Sequence, residues 1–335
     1  MTLEQLGWDD FFVQQIPAKD FDLVGRICSE FKKTYKVLSD QGEFEAVIPG
    51  KFYHNSRNKN LPVVGDWVLG KNINDNQIVI THLLPRKNKF SRKIKGHGLE
   101  EQVIAANLDY IFIVSGLDDE FNVRRIERYI LQSQKSSAQP VLILNKVDID
   151  DNIKSKRAAI HKSFKNTPSL FISALKNKGL SQIKKLLKDG KTGALLGSSG
   201  VGKSTIINRL MNKNIQKTAD HKGKFSHGTH ITTRRELFLL PSGGILIDTP
   251  GMRELQLWEG EESIQTAFHD ITELAQHCRF MDCNHRQEPG CAVKKAIENG
   301  EIDSERLDHF IKLKEEIDET QKGIQWHSKP KRKRR

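Results

Sequence analysis

Between residues 21 and 84, apolar and polar side chains alternate in short runs separated by turn formers. Period-two alternation rich in β-branched and aromatic residues marks strands half buried against a core. Five such strands are expected, at residues 23–28, 34–38, 43–48, 66–69 and 77–82. They imply a small closed barrel, most commonly of the OB type, although an SH3-like barrel fits the pattern nearly as well. After a basic connector over residues 85–95 the pattern changes to strands (110–115, 141–144, 169–172, 191–196, 244–247) alternating with helices (124–133, 151–164, 180–187). That alternation predicts a largely parallel sheet covered by helices. Beyond residue 258 the strands stop, and Leu307, Phe310, Ile311 and Ile317 form an apolar stripe on a final helix. The expected organisation is multidomain: an all-β OB-type barrel over residues 1–90, an α/β domain over 91–257, a helical module over 258–328 and a basic, disordered tail over 329–335.

Charge sharpens this picture. The 54 basic and 42 acidic residues leave a formal net charge of +12, which favours a polyanionic partner. Lys329, Lys331, Arg332, Lys333, Arg334 and Arg335 concentrate part of it in the tail, where they can pair with phosphates or merely aid solubility. Lys51, Phe52, Tyr53, His54, Arg57 and Lys59 place basic and aromatic side chains in one barrel loop, a combination suited to single-stranded nucleic acid. No apolar run is long enough to span a bilayer, and residues 1–10 do not read as a signal peptide. A cytoplasmic chain, acting as a monomer without a membrane partner, is therefore expected.

The chemistry lies in three loops. Gly197-Ser198-Ser199-Gly200-Val201-Gly202-Lys203-Ser204 follows an apolar strand and opens a helix at Thr205, the arrangement that turns backbone N–H groups around a β-phosphate. Lys203 would reach the β and γ oxygens and Ser204 would ligate magnesium. Asn145-Lys146-Val147-Asp148 closes the strand at 141–144. An aspartate there accepts from guanine N1–H and the exocyclic amine, which adenine cannot match, so GTP and GDP are the expected ligands. Asn145 would buttress the loop or reach the ring edge, and Lys146 would lie along the base. Ser173-Ala174 follows the next strand, where a backbone N–H can meet the guanine carbonyl. Asp248-Thr249-Pro250-Gly251 puts Asp248 in the magnesium shell and the Gly251 N–H near the γ-phosphate. Between them, residues 218–235 read as a switch loop with Thr232, or its neighbour Thr233, as a magnesium ligand. Met252 stands where Ras-like enzymes carry a water-orienting glutamine, so His230 is the candidate catalytic residue.

The base-specifying motif precedes the phosphate loop, so this P-loop GTPase domain is expected to be circularly permuted. Cys278, Cys283, His285 and Cys291 add three thiolates and an imidazole in one compact segment, a closed structural zinc set, with His277 as a competing ligand. This order of motifs, together with Thr232-Thr233-Arg234-Arg235-Glu236-Leu237 and the Cys/His cluster, resembles the bacterial RsgA (YjeQ) GTPases over nearly the whole chain. The resemblance implies an N-terminal OB domain, a permuted GTPase and a C-terminal zinc domain acting in late maturation of the small ribosomal subunit, on its rRNA, with turnover stimulated by that subunit. It also points to His230. The family's Gly-x-His-Thr-Thr-Thr becomes Gly228-Thr229-His230-Ile231-Thr232-Thr233 here, so Ile231 departs from the pattern. Two other readings are a non-catalytic RNA clamp that retains a nucleotide and a GTPase serving another RNA or a membrane-associated partner. Lys203, Ser204 and Asp248 argue against the first, and the absence of an amphipathic anchor argues against a membrane partner.

Overall fold

The computed structural model describes residues 1–17, 21–31, 34–50, 61–93, 101–118, 121–149, 153–215, 235–249 and 268–327, with side chains for all except 93 and 316–327. The five expected barrel strands form: β1 (Leu23–Phe31), β2 (Thr34–Ser39), β3 (Gly42–Val47), β4 (Trp67–Asn74) and β5 (Gln77–Leu83). They pair in the order β1-β2-β3-β5-β4, and β4 returns to β1, closing the OB-type circuit. Alternate residues Tyr35, Val37, Phe44, Ala46, Ile78 and Ile80 fill the interior. A short helix, α1 (Asp10–Val13), brings Phe12 against buried Trp67, whose ring also meets Trp8 edge-on at 4.7 Å. The basic-aromatic loop at 51–60 lies outside the described residues.

Within the expected connector, the described residues up to 93 hold a strand. β6 (Lys89–Lys93) pairs antiparallel with β7 (Glu101–Ala106), so the boundary expected at residue 90 falls inside a strand. Its lysines and arginine mask the alternation, which survives only in buried Phe90.

The central sheet runs β10 (Ser169–Phe171), β9 (Gln139–Asn145), β8 (Tyr110–Gly116), β11 (Thr192–Leu196), β13 (Ile245–Asp248) and β12 (Glu236–Leu239). Every neighbouring pair is parallel except β12 with β13. Strand β12 was not among the expected elements, because four residues at the end of a polar loop give too short a pattern to read. Helices α2 (Val123–Gln134) and α3 (Ile153–Ser163) cover one face through Ile126, Ile130 and Ile160. Helices α4 (Leu180–Leu186) and α5 (Lys203–Met211) cover the other through Ile183, Ile206, Ile207 and Leu210. The chain runs from β8 outward to β10, then returns to β11 and proceeds the other way. The loops leaving β8 and β11 therefore diverge over a crevice, the usual place for a ligand in such sheets.

Barrel and central sheet are one continuous sheet of 11 strands, joined where Ser29 of β1 pairs with Glu236 of β12. Beside that seam Arg235 pairs with Glu30 at 3.6 Å. Below it, Arg26 is 1% exposed and donates to four oxygens: the carbonyls of Leu6 (2.5 Å), Gly65 (3.1 Å) and Asn107 (3.1 Å) and Thr192 Oγ1 (2.9 Å). Desolvation pulls its guanidinium down to about 10, still charged near neutrality. Cys28 is a buried thiol, which burial pushes up to about 12.

The C-terminal module consists of α6 (His269–Ala275), α7 (Ala292–Glu298) and α8 (Ser304–His327) around Phe268, Ile271, Val293, Leu307, Phe310 and Leu313. The expected stripe is present with Leu313 added, while the side chain of Ile317 is outside those described. Leu131 of α2 belongs to this same core. Glu127 of α2, 2% exposed, accepts from Arg306 at 2.5 Å and pairs with His309, and Arg306 also grips Asp270. Among the described residues no helix is long and apolar enough to cross a membrane.

Arg26→Met should remove the bracket between N-terminal segment, barrel and central sheet while keeping side-chain volume. The buried Leu6 and Asn107 carbonyls lose this donor while the Gly65 carbonyl keeps Asn107 Nδ2, so a loss of about 3 kcal/mol is expected in urea unfolding; an unchanged midpoint would show that the bracket is not needed.

Candidate functional site

The loops singled out in the sequence leave one edge of the central sheet, from the C-terminal ends of its parallel strands. Their meeting point is Asn145, 3% exposed at the end of β9. Its Nδ2 donates to the Val201 carbonyl in the phosphate loop at 2.9 Å, and its Oδ1 accepts from the Ala174 N–H at 3.0 Å. Of the two roles open to Asn145, the geometry has it as the buttress. The Ser173 N–H bonds the Lys178 carbonyl at 3.0 Å and its Oγ accepts from Lys176, so this loop is held before any ligand arrives. Asp148, three residues beyond the end of β9, is exposed. Lys146 adopts a positive φ of 69° and pairs with Asp118, two residues beyond β8.

Two glycines of the phosphate loop are dictated by these contacts. Gly202 has φ 99°, and a Cβ on it would fall 2.2 Å from Asn145 Nδ2. Gly197 has φ 155°, and its Cβ would meet the Val114 carbonyl at 2.3 Å. Gly202 also caps α5 without a side chain, so the first N–H groups of that helix have no side-chain acceptor from their cap. Such an N-terminus suits an anion. Between the glycines, Ser199 and Gly200 are exposed and Val201 is buried. Lys203 turns its ammonium onto the carbonyls of Gly197 (2.7 Å) and Ser198 (2.6 Å). Ser204 and Thr205, on the first turn of α5, are half-buried.

Asp248, 4% exposed, ends β13 in register with Leu195 of β11, and Thr249 Oγ1 donates to the Leu195 carbonyl at 2.6 Å. The acid is thus beside the root of the phosphate loop. His230, Thr232, Thr233, Gly251 and Met252 lie outside the described residues. Sequence reasoning passed over two side chains that the fold brings to these loops. Asp118 meets Lys146, and Arg125 of α2 donates to Ser198 Oγ at 3.3 Å. Position gave the only hint for Asp118, since it lies two residues past a parallel strand; for Arg125 there was none.

The second cluster joins Cys278, Cys283, His285 and Cys291, whose donor atoms all lie within 4.8 Å of one another. His285, not His277, faces the sulfurs, with Nδ1 at 3.6 Å from Cys278 Sγ and 3.4 Å from Cys291 Sγ. Cys278 and Cys291 Sγ are 3.8 Å apart. A tetrahedral ion with metal–sulfur bonds of about 2.3 Å sets its ligand edges at about 3.8 Å, so the four donors fit one metal. Glu288 braces the loop by accepting N–H bonds from Asn284, Arg286 and Gln287, and backbone donors, its own first, hold its carboxyl down at about 2.

Comparison with known proteins agrees with this geometry. Residues 83–258 match the family model described as RsgA GTPase. A protein named small ribosomal subunit biogenesis GTPase RsgA from Opitutus terrae is 42% identical over 330 residues, covering 94% of this chain and 90% of the relative. Its namesake from Methanosarcina acetivorans is 41% identical over 313 residues, covering 93% of this chain and 84% of the relative. Among solved structures, YjeQ from Thermotoga maritima superposes with a TM-score of 0.64 at 27% identity, over 88% of this chain and 98% of that one. YloQ, described as a circularly permuted GTPase, shares the fold with a TM-score of 0.60 at 24% identity, over 92% and 96%. A sheet threaded from its middle, carrying a guanine-type loop ahead of its phosphate loop, and sequence identity maintained along almost the whole chain make this protein a member of the RsgA GTPase family.

Proposed function

We propose that this GTPase docks on the small ribosomal subunit through its rRNA and hydrolyses GTP in the late maturation of that subunit, with docking raising turnover. The observation that carries the reading is the Asn145 amide, which ties the phosphate loop to the two loops suited to guanine. Asp148 accepts from guanine N1–H and the exocyclic amine, and Lys146, steered by Asp118, lies along the base. The guanine carbonyl meets the backbone after Ser173, where the Ala174 N–H is already shared with Asn145 and the Leu175 N–H follows. Backbone amides from Gly197 to Thr205 wrap the phosphates, and Lys203 exchanges two loop carbonyls for β and γ oxygens. Ser204, Asp248 and Thr232 would hold magnesium, which when bound would supply positive charge to the phosphates. The Gly251 N–H senses the γ-phosphate, and His230 orients the attacking water in place of the glutamine that Met252 cannot replace. Zinc in the Cys278, Cys283, His285 and Cys291 set is structural, since four protein donors leave no position for water. The relatives' names and the net charge of +12 support the ribosomal partner, and that partner places the chain in the cytoplasm.

Steady-state GTP hydrolysis with and without purified small subunits tests the reading. Ordering one catalytic group should raise kcat on the order of 10²-fold with little change in KM. Equal rates with and without subunits would contradict it. For the metal, Cys283→Ala should abolish bound zinc and unfold the C-terminal module while the nucleotide domain keeps its cooperative transition, because structural zinc contributes on the order of 10 kcal/mol to so small a fold. Purified protein without stoichiometric zinc would refute the assignment.

A further inference from the structure

Helix α2 begins with two cations, Arg124 and Arg125, and has no acidic residue in its first turn. Positive side chains are disfavoured at that end, where the helix dipole is itself positive. Arg124 points to Glu305 of the C-terminal module at 3.4 Å. Arg125 instead reaches the phosphate loop, where Nη1 donates to Ser198 Oγ at 3.3 Å. Its launch point is fixed: Asn122 Oδ1 accepts from the Arg125 N–H at 3.0 Å, and the next residue, Ile126, is 1% exposed in the core. Ser198 is thus held by two cations, Arg125 at its hydroxyl and Lys203 at its carbonyl.

These holds differ in what becomes of them when a nucleotide enters. The phosphate-loop lysine is drawn to the β and γ oxygens, which takes Lys203 off the Ser198 carbonyl. The arginine, anchored on a capped helix, stays. We infer that Arg125 is a positioning residue for GTP hydrolysis, holding Ser198 and the start of the phosphate loop in place through its hydroxyl while Lys203 serves the phosphates. A guanidinium at this position also adds positive charge behind the loop, where the incoming triphosphate relieves its conflict with the helix dipole. The same helix is clasped by the C-terminal module, through Glu127 with Arg306 and His309, so the loop is braced through α2 against that module.

The inference rests on the reading of residues 197–204 as the phosphate loop, and single-turnover GTP hydrolysis tests the two separately. Arg125→Ala should lower the rate constant roughly 10- to 100-fold with KM changed less than about threefold, since displaced reacting groups lose rate more than ground-state binding. Ser198→Ala should lose the same factor, and the double variant no more than either, because both remove one contact. Arg125→Lys, which keeps a cationic donor, should recover most of the loss; it also carries the test if melting shows that Arg125→Ala is misfolded. Undiminished turnover in Arg125→Ala, or losses that multiply in the double variant, would overturn the role of Arg125. A wild-type chain that hydrolyses no GTP would overturn the phosphate-loop reading itself.

Discussion

One buried carboxamide makes a site out of loops far apart in the chain. Asn145 lies 56 residues from its acceptor at Val201 and 29 from its donor at Ala174, and both bonds are buried. A carboxamide donates and accepts at once, from two atoms about 2 Å apart. Aspartate would face the Val201 carbonyl with another acceptor, and an apolar residue would leave both loops without a partner. The bonds also explain why the loop needs Gly202, whose missing Cβ is the space that Asn145 fills. Because the amide recognises loops by position and not by order, it is indifferent to where the chain begins. The permutation alters connectivity while preserving this contact.

Around that centre the two flanking modules are attached to elements that adjoin the nucleotide loops. The barrel continues the central sheet through β12, the strand that leads into β13 and Asp248, and Arg235 with Glu30 reinforces the seam. The C-terminal module clasps α2, whose first turn touches Ser198. Buried Arg26, which donates from Nε, Nη1 and Nη2 to four acceptors in three parts of the molecule, makes barrel and sheet a single packed unit. A partner bound to either module therefore acts on structure continuous with the site.

The strands of the barrel and sheet were legible because their side chains alternate or run apolar, as burial on one or two faces demands. β6 and β12 were not, being short and set in basic or polar sequence, and the join between barrel and sheet is a long-range backbone pairing that no local pattern records. Glycines, lysine and the Cys/His set could be read from spacing, since their chemistry is local. Spacing favours His285 over His277, and the His285 Nδ1 does lie at the sulfurs, whereas the contacts of Asp118 and Arg125 needed the fold, for each joins elements remote in sequence.

On the proposed function, a guanine nucleotide would be gripped at once by the three loops that Asn145 joins. Amide hydrogen exchange of the intact protein with GDP and, separately, ADP at equal concentration measures this directly. The account predicts slowed exchange with GDP in residues 145–148, 173–175 and 197–205 together, and little slowing with ADP, because only guanine supplies donors to Asp148. Equal protection by both nucleotides, or protection confined to the phosphate loop, would contradict it.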